Sequence, residues 1–235
     1  MTECEHSFVG WTRPSGAVVE AERAEPRQEP QLLLVDWPDA PQTTIRLAGK
    51  ALTRADRRWP AMFVANHAVG GSFSSRINTV LREEKGYTYG ANSGLDAGRH
   101  TGTFSVSTAV RADATADAMA LLVEIVAAAG GSITDDEVAM AVRAVTQSAP
   151  LGYERAESVV GRVELLLSQR LPLDHVDANL RRIREVTTAD ANAVWGDVID
   201  PQALTVVVVG DAGSVRDDLA AWGYAELREV TPAWR

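Results

Sequence analysis

The sequence predicts an α+β fold in two layers, a mostly antiparallel sheet with helices packed on one face. Three observations lead there. Strand-like segments dominate the first half, a helical block occupies the middle, and an apolar strand returns near the end. With 235 residues, 46% of them hydrophobic, the chain is long enough to bury a substantial core.

Residues 1–30 read as a linker or tail. They carry Pro14, Pro26 and Pro30, several glutamates and few periodic apolar positions. The domain is expected over 31–235. Leu32-Leu33-Leu34-Val35 is a short apolar run closed by Trp37-Pro38-Asp39, the pattern of a buried strand and a turn. Thr43-Thr44-Ile45-Arg46-Leu47 alternates and predicts a second strand. Pro60 suits the first turn of a helix running to about Val69. Gly70-Gly71 breaks that helix, and Ser72 is the expected N-cap of the next one, with Ser75 close behind. Phe73, Ile77, Val80 and Leu81 then form an apolar stripe at i, i+4, i+7 and i+8, and Gly86 closes the helix.

Two strands are expected over 87–95 and 101–110, with Asp96-Ala97-Gly98 as the turn. Phe104, Val106, Thr108 and Val110 share one face of the second. Asp113 is the expected cap of a helix lined by Met119, Leu122, Val123 and Val126, and Gly130-Gly131 ends it. Thr134-x-x-Glu137 has the form of a capping box, starting a helix with Val138, Val142 and Val145. Val159, Val163, Leu166 and Leu167 make another stripe, and Val176, Leu180 and Ile183 a shorter one. Thr187 or Thr188 begins a helix containing Val194 and Trp195. A strand over 204–209, bounded by Gly210-Asp211, and a short helix over 214–222 complete the pattern.

Composition narrows the function. A net charge of −9, from 23 basic and 32 acidic residues, argues against nucleic-acid or anionic-membrane partners. No apolar run reaches the ~20 residues of a membrane helix. A single cysteine, Cys4, excludes an internal disulfide, and the acidic N-terminus lacks the features of a signal peptide. The expectation is a cytoplasmic protein.

Motifs for chemistry are sparse. His6, His67, His100 and His175 stand in neither H-x-x-E-H nor H-E-x-x-H, so no metal site is expected in this chain. Gly-x-Ser-x-Gly is absent, and the serines after Gly71 have no neighbouring histidine. The Gly70–Arg76 stretch lacks the Gly-Lys-Ser/Thr ending of a phosphate loop and follows a helix, so it reads as a helix–helix turn. More informative is Leu81-Arg82-Glu83-Glu84-Lys85-Gly86-Tyr87-Thr88-Tyr89-Gly90. At about 100° per residue Arg82 lies opposite the apolar stripe, and Tyr89 stands seven residues on in the adjoining strand. A guanidinium and a phenol so placed donate hydrogen bonds to peptide carbonyls or to a developing oxyanion; a solvated helix-end arginine and a sheet aromatic fit the same pattern.

The block from Asn66-His67-Ala68-Val69-Gly70-Gly71-Ser72-Phe73-Ser74-Ser75-Arg76-Ile77-Asn78 through Leu81–Gly90 resembles the C-terminal domain of the pitrilysin/insulinase family of zinc metallopeptidases, in its mitochondrial-processing-peptidase-like branch. Val35-Asp36-x-Pro38-x-Ala40-x-Gln42 is similar to the family's opening strand and turn. Glu185-Val186-Thr187 and the 206–211 stretch are similar to its closing helix and strand. The likeness runs from about Gln31 to Asp211, with Phe8-Val9-Gly10-Trp11 resembling the end of an interdomain linker.

The resemblance implies two similar α+β halves that clamp a peptide. One half carries H-x-x-E-H and binds zinc; the other lacks the motif and contributes an Arg/Tyr pair, which falls here on Arg82 and Tyr89. It further implies that this chain binds no cofactor itself, that zinc resides in a partner domain or subunit, and that the substrate is a peptide. Two arrangements satisfy it, a fragment of a longer protease or a short subunit pairing with a zinc-bearing chain. An alternative of another class is a proteolytically inactive scaffold or peptide-binding subunit. An isolated half also exposes surface made for its counterpart, which favours self-association.

Overall fold

A computed structural model describes residues 9–10 and 29–231. The expected 1–30 tail, with Cys4 and His6, lies almost wholly outside the described residues. Strand β1 (Gln31–Asp36) is the apolar run, and β2 (Gln42–Ala51) the alternating segment after it. Helix α1 (Trp59–Val69) starts with Pro60 in its first turn. Helix α2 begins at Arg76–Asn78 and widens into a π-turn over Thr79–Glu84. The hairpin β3 (Thr88–Ala97) and β4 (Gly102–Arg111) follows, then α3 (Thr115–Ala128), α4 (Asp135–Ser148), α5 (Ala156–Ser168), α6 (His175–Glu185) and α7 (Thr188–Val198). Strand β5 (Thr205–Gly210), α8 (Ala212–Ala221) and the short β6 (Leu227–Glu229) close the chain.

Among the described residues the sheet has six strands in the order β3-β4-β2-β5-β1-β6. The three pairings from β3 to β5 are antiparallel; β5 with β1 and β1 with β6 are parallel. Alternation determines which face is covered. Leu32, Leu34, Ile45, Leu47, Phe104, Val106, Val206 and Val208 are buried beneath the helices, while Thr44, Arg46 and Thr103 on the opposite face are exposed. The α+β sheet with helices on one face is as the sequence predicts.

Helix α3 supplies the centre of the helical layer through Met119, Leu122 and Val126, all fully buried. The helical run Ala112–Gly131 has a mean hydropathy of 1.5, long and apolar enough to cross a bilayer by length and composition, contrary to the reading that no stretch is. Half of it is buried inside the fold, and it packs on β2 and β4 as a core helix does. Trp195 ties α7 into the same core. Its ring meets Phe104 edge-on at 5.3 Å, and its indole N–H donates to the Val126 carbonyl at 2.9 Å.

Several local expectations are corrected. Ser72 is not an N-cap: the helix starts after Ser75, whose side chain makes no capping hydrogen bond. Phe73 therefore precedes the helix and is 72% exposed, while Ile77 and Leu81 carry the buried contact. Asp113 caps nothing; it pairs with Arg111 at 3.1 Å, and a short 3₁₀ turn leads into α3. The β3–β4 turn falls over 98–101, beyond the expected Asp96-Ala97-Gly98, because pairing continues to Ala97 and Gly102. The α5 stripe is buried only at Leu166; Val160 and Leu167 are each 65% exposed. The Thr134 capping box forms as read, and Thr187 caps α7 in the same manner.

Replacing Trp195 by Ala removes a fully buried ring and its hydrogen bond to the Val126 carbonyl. The expected loss of unfolding free energy is about 3–5 kcal/mol, measured by urea denaturation. A loss under ~1 kcal/mol would contradict this packing account.

Candidate functional site

The Arg82–Tyr89 segment is built by three contacts that hold the α1–α2 turn and α2 against β3. First, Gly70 lets the turn lie flat on the strand, and Gly71 lets it fold closely against Asn66 and His67 at the end of α1. The Ser93 N–H donates to the Gly70 carbonyl at 2.8 Å, and a Cβ at Gly70 would stand 2.5 Å from Ser93 Oγ. Second, Asn78 acts as a substitute strand. Its amide donates to the Ala91 carbonyl at 2.7 Å and its oxygen accepts from the Ala91 N–H at 2.8 Å. Third, Arg76 anchors the start of α2. It grips Glu137 through Nε at 3.0 Å and Nη2 at 2.7 Å, and Ser132 through Nη1 at 2.6 Å.

From that base the π-turn carries Arg82. The Lys85 N–H reaches back five residues to the Val80 carbonyl at 3.0 Å. Such wide turns recur at functional sites because they re-aim one side chain without breaking the helix. The 100° spacing that places Arg82 opposite the stripe therefore fails over Thr79–Glu84. Instead the guanidinium lies over the Phe73 ring at 4.2 Å, with Nε 3.5 Å from a Glu83 carboxylate oxygen. Its Nη1 is enclosed and has no hydrogen-bond partner among the described residues. One donor of this group is thus desolvated without compensation.

Tyr89 is set by a β-bulge. Thr88 pairs with Val110 and Ala91 with Thr108, so Tyr89 and Gly90 together oppose the single residue Ala109. Simple alternation would turn Tyr89 to the same covered face as Ala91 and Ser93. The extra residue releases it, and it is 90% exposed. Hydroxyls hold the bulge: Thr88 Oγ1 lies 2.7 Å from the Ala109 carbonyl and accepts from the Gly90 N–H at 3.0 Å, and Thr108 Oγ1 lies 2.9 Å from Thr88 Oγ1. Arg82 and Tyr89 thus flank one helix-to-strand junction, but no hydrogen bond, ion pair or ring contact joins them. Sequence reasoning missed Phe73 as the platform of Arg82, because periodicity counted it into the core; Gly90 was the available signal for the bulge.

Among the described residues no group of three or more His, Cys, Asp or Glu converges to hold a metal ion. His67, in the last turn of α1, is pushed below its ordinary pKa by burial. His175 is shifted the same way, by burial first and then by Arg54 and Arg182.

The chain matches the family model described as the peptidase M16 inactive domain over residues 7–145, a span containing Arg82 and Tyr89. An uncharacterized zinc protease of Mycobacterium tuberculosis is 32% identical over 192 residues, covering 80% of this chain and 42% of the relative. A counterpart in Mycobacterium leprae is 34% identical over 161 residues, covering 66% of this chain and 35% of the relative. The chain thus spans about two-fifths of the length of the curated relatives it matches. Among solved structures, a peptidase M16 inactive domain from Pseudomonas fluorescens aligns with a TM-score of 0.76 at 23% identity, over 84% of this chain and 48% of that one. A protease from Helicobacter pylori aligns at 0.75 and 16%, over 87% and 50%. At these identities the structures share the fold.

The Arg76 anchor has a pH signature. Burial alone would raise the Glu137 carboxyl, but hydrogen bonds from Arg76 and the Thr134 N–H outweigh it and hold its pKa below the ordinary 4.5. A depressed carboxylate stabilises the fold above its unfolded value, and that stability is lost as pH falls through the folded value. Glu137→Gln is expected to lower unfolding free energy at pH 7 by about 1.5–3 kcal/mol and to flatten the decline below pH 4.5, read by urea denaturation across pH 3–7. An unchanged pH profile would contradict the anchor.

Proposed function

The chain belongs to the peptidase M16 family as an inactive domain, and on that premise we propose that it serves as the non-catalytic half of a zinc metalloendopeptidase, holding the peptide substrate through Arg82 and Tyr89. The observation that carries the reading is the junction itself. A π-turn and a β-bulge, two departures from regular structure, fall on the two residues whose chemistry suits peptide backbone. Ordinary packing requires neither.

In this reading the partner half bears H-x-x-E-H and the zinc, and supplies the attacking water. The residues of this chain bind and orient. The Arg82 guanidinium donates to a substrate carbonyl from its Phe73 platform, and the exposed Tyr89 hydroxyl donates to a second carbonyl or to the oxyanion as it forms. Two donors aimed at the developing charge are together worth on the order of 3–6 kcal/mol of barrier. The open sheet face beside Tyr89, with Ser105, Ser107 and Asn92 on its strands, is polar and uncovered, as a substrate wall needs to be.

The test is reconstitution with a zinc-bearing half, sought in the same or a neighbouring reading frame, and cleavage of an unstructured peptide. Arg82→Ala and Tyr89→Phe are each expected to lower kcat/KM about tenfold or more, with the circular-dichroism spectrum unchanged. Unaltered turnover in both variants would remove the substrate-holding role. An assembly that binds peptide but never cleaves it would favour the scaffold reading.

A further inference from the structure

Away from the Arg82–Tyr89 junction, a cavity of about 250 Å³ lies among α1, α4, α5 and α6. Phe63, Val145, Leu166 and Leu180 give it apolar walls, and Arg54, from the loop after β2, and His175, at the start of α6, line it as well. An engineered apolar cavity of roughly 150 Å³ holds benzene, so this one has room for a small organic molecule. Pockets between helices with apolar walls and a few polar groups are common ligand sites.

Two of its polar groups lack partners, whereas Ser148 and Arg162, which also line it, bond the Val145 and Gly152 carbonyls. Arg54 Nε is buried without a hydrogen-bond partner among the described residues, and so is His175 Nε2. The Arg54 guanidinium packs over the Trp59 ring at 4.9 Å, a contact that leaves its in-plane donors free. Burial lowers its pKa, and the exposed Asp96 offsets only part of that effect. A half-buried cation without a hydrogen-bonded acceptor, set against hydrocarbon, is costly to keep. The arrangement selects its occupant. A cation is repelled, and a neutral hydrocarbon leaves both groups unpaired. A carboxylate bearing an apolar tail places two acceptor oxygens at the guanidinium and its chain along the apolar walls.

We propose that this inter-helix cavity is a binding site for a small monocarboxylate with an aliphatic or aromatic tail, recognised by Arg54 and His175. The site is independent of the peptide-holding role and survives its failure.

The probe is octanoate, titrated into the full chain by calorimetry at pH 7, with methyl octanoate as the neutral comparator. The expected result is saturable one-to-one binding with a dissociation constant on the order of 1 mM or tighter. Arg54→Met weakens octanoate binding at least tenfold and leaves the ester unaffected. Nuclear magnetic resonance of the unaltered chain decides the matter even where the variant fails to fold, with octanoate shifting the methyl signals of Val145, Leu166 and Leu180. No saturable binding overturns the proposal, as does equal affinity for the methyl ester. Shifts confined to the exposed Val160 and Leu167 face of α5 also overturn it.

Discussion

The site depends on how closely the α1–α2 turn can approach strand β3. Gly70 lies against Ser93 with no room for a side chain, and that contact brings α2 near enough for Asn78 to hydrogen-bond both backbone groups of Ala91. Without the close approach Asn78 does not reach, β3 loses the partner on its outer edge, and the junction carrying Arg82 and Tyr89 has no fixed geometry. Arg76 completes the restraint from the other side. Its bidentate grip on Glu137 borrows a carboxylate that already caps α4 through the Thr134 N–H at 2.8 Å, so one side chain serves two helices. A two-sided clamp of this kind explains how a wide helical turn and a bulged strand persist next to each other.

Much of the scaffold was legible because its physics is local or periodic. Alternation in Thr43–Leu47 and Phe104–Val110 identified the covered face of the sheet, and the capping-box spacing of Thr134 and Glu137 located a helix start to the residue. The site was legible only as residue types. Arg82 and Tyr89 stood out by chemistry and by likeness to a family, but their presentation follows from two irregularities that periodicity averages away. Nothing in Thr79–Glu84 signals a π-turn. The bulge had one faint marker, Gly90. Phe73 misled for a physical reason: an aromatic at the right spacing reads as core unless the helix start is known, and Ser75, three residues after the expected cap, is where it begins.

The distribution of apolar surface is consistent with a half that works against something else. The helical layer is tightly buried around Met119, Leu122 and Trp195, yet the outer face of α5 keeps Val160 and Leu167 in the open. On the second face of the sheet the β2–β4 strands present polar residues such as Thr44, Arg46 and Thr103 in the open.

The central claim is that Tyr89, released by its bulge, touches substrate backbone. A photoreactive phenylalanine analogue placed at position 89, in the chain reconstituted with a zinc-bearing half, tests this directly. Irradiation with an unstructured peptide is expected to give a covalent adduct mapped to residue 89, competed away by unlabelled peptide and diminished by Arg82→Ala. Absence of an adduct at 89, while the assembly still cleaves the peptide, would contradict the account.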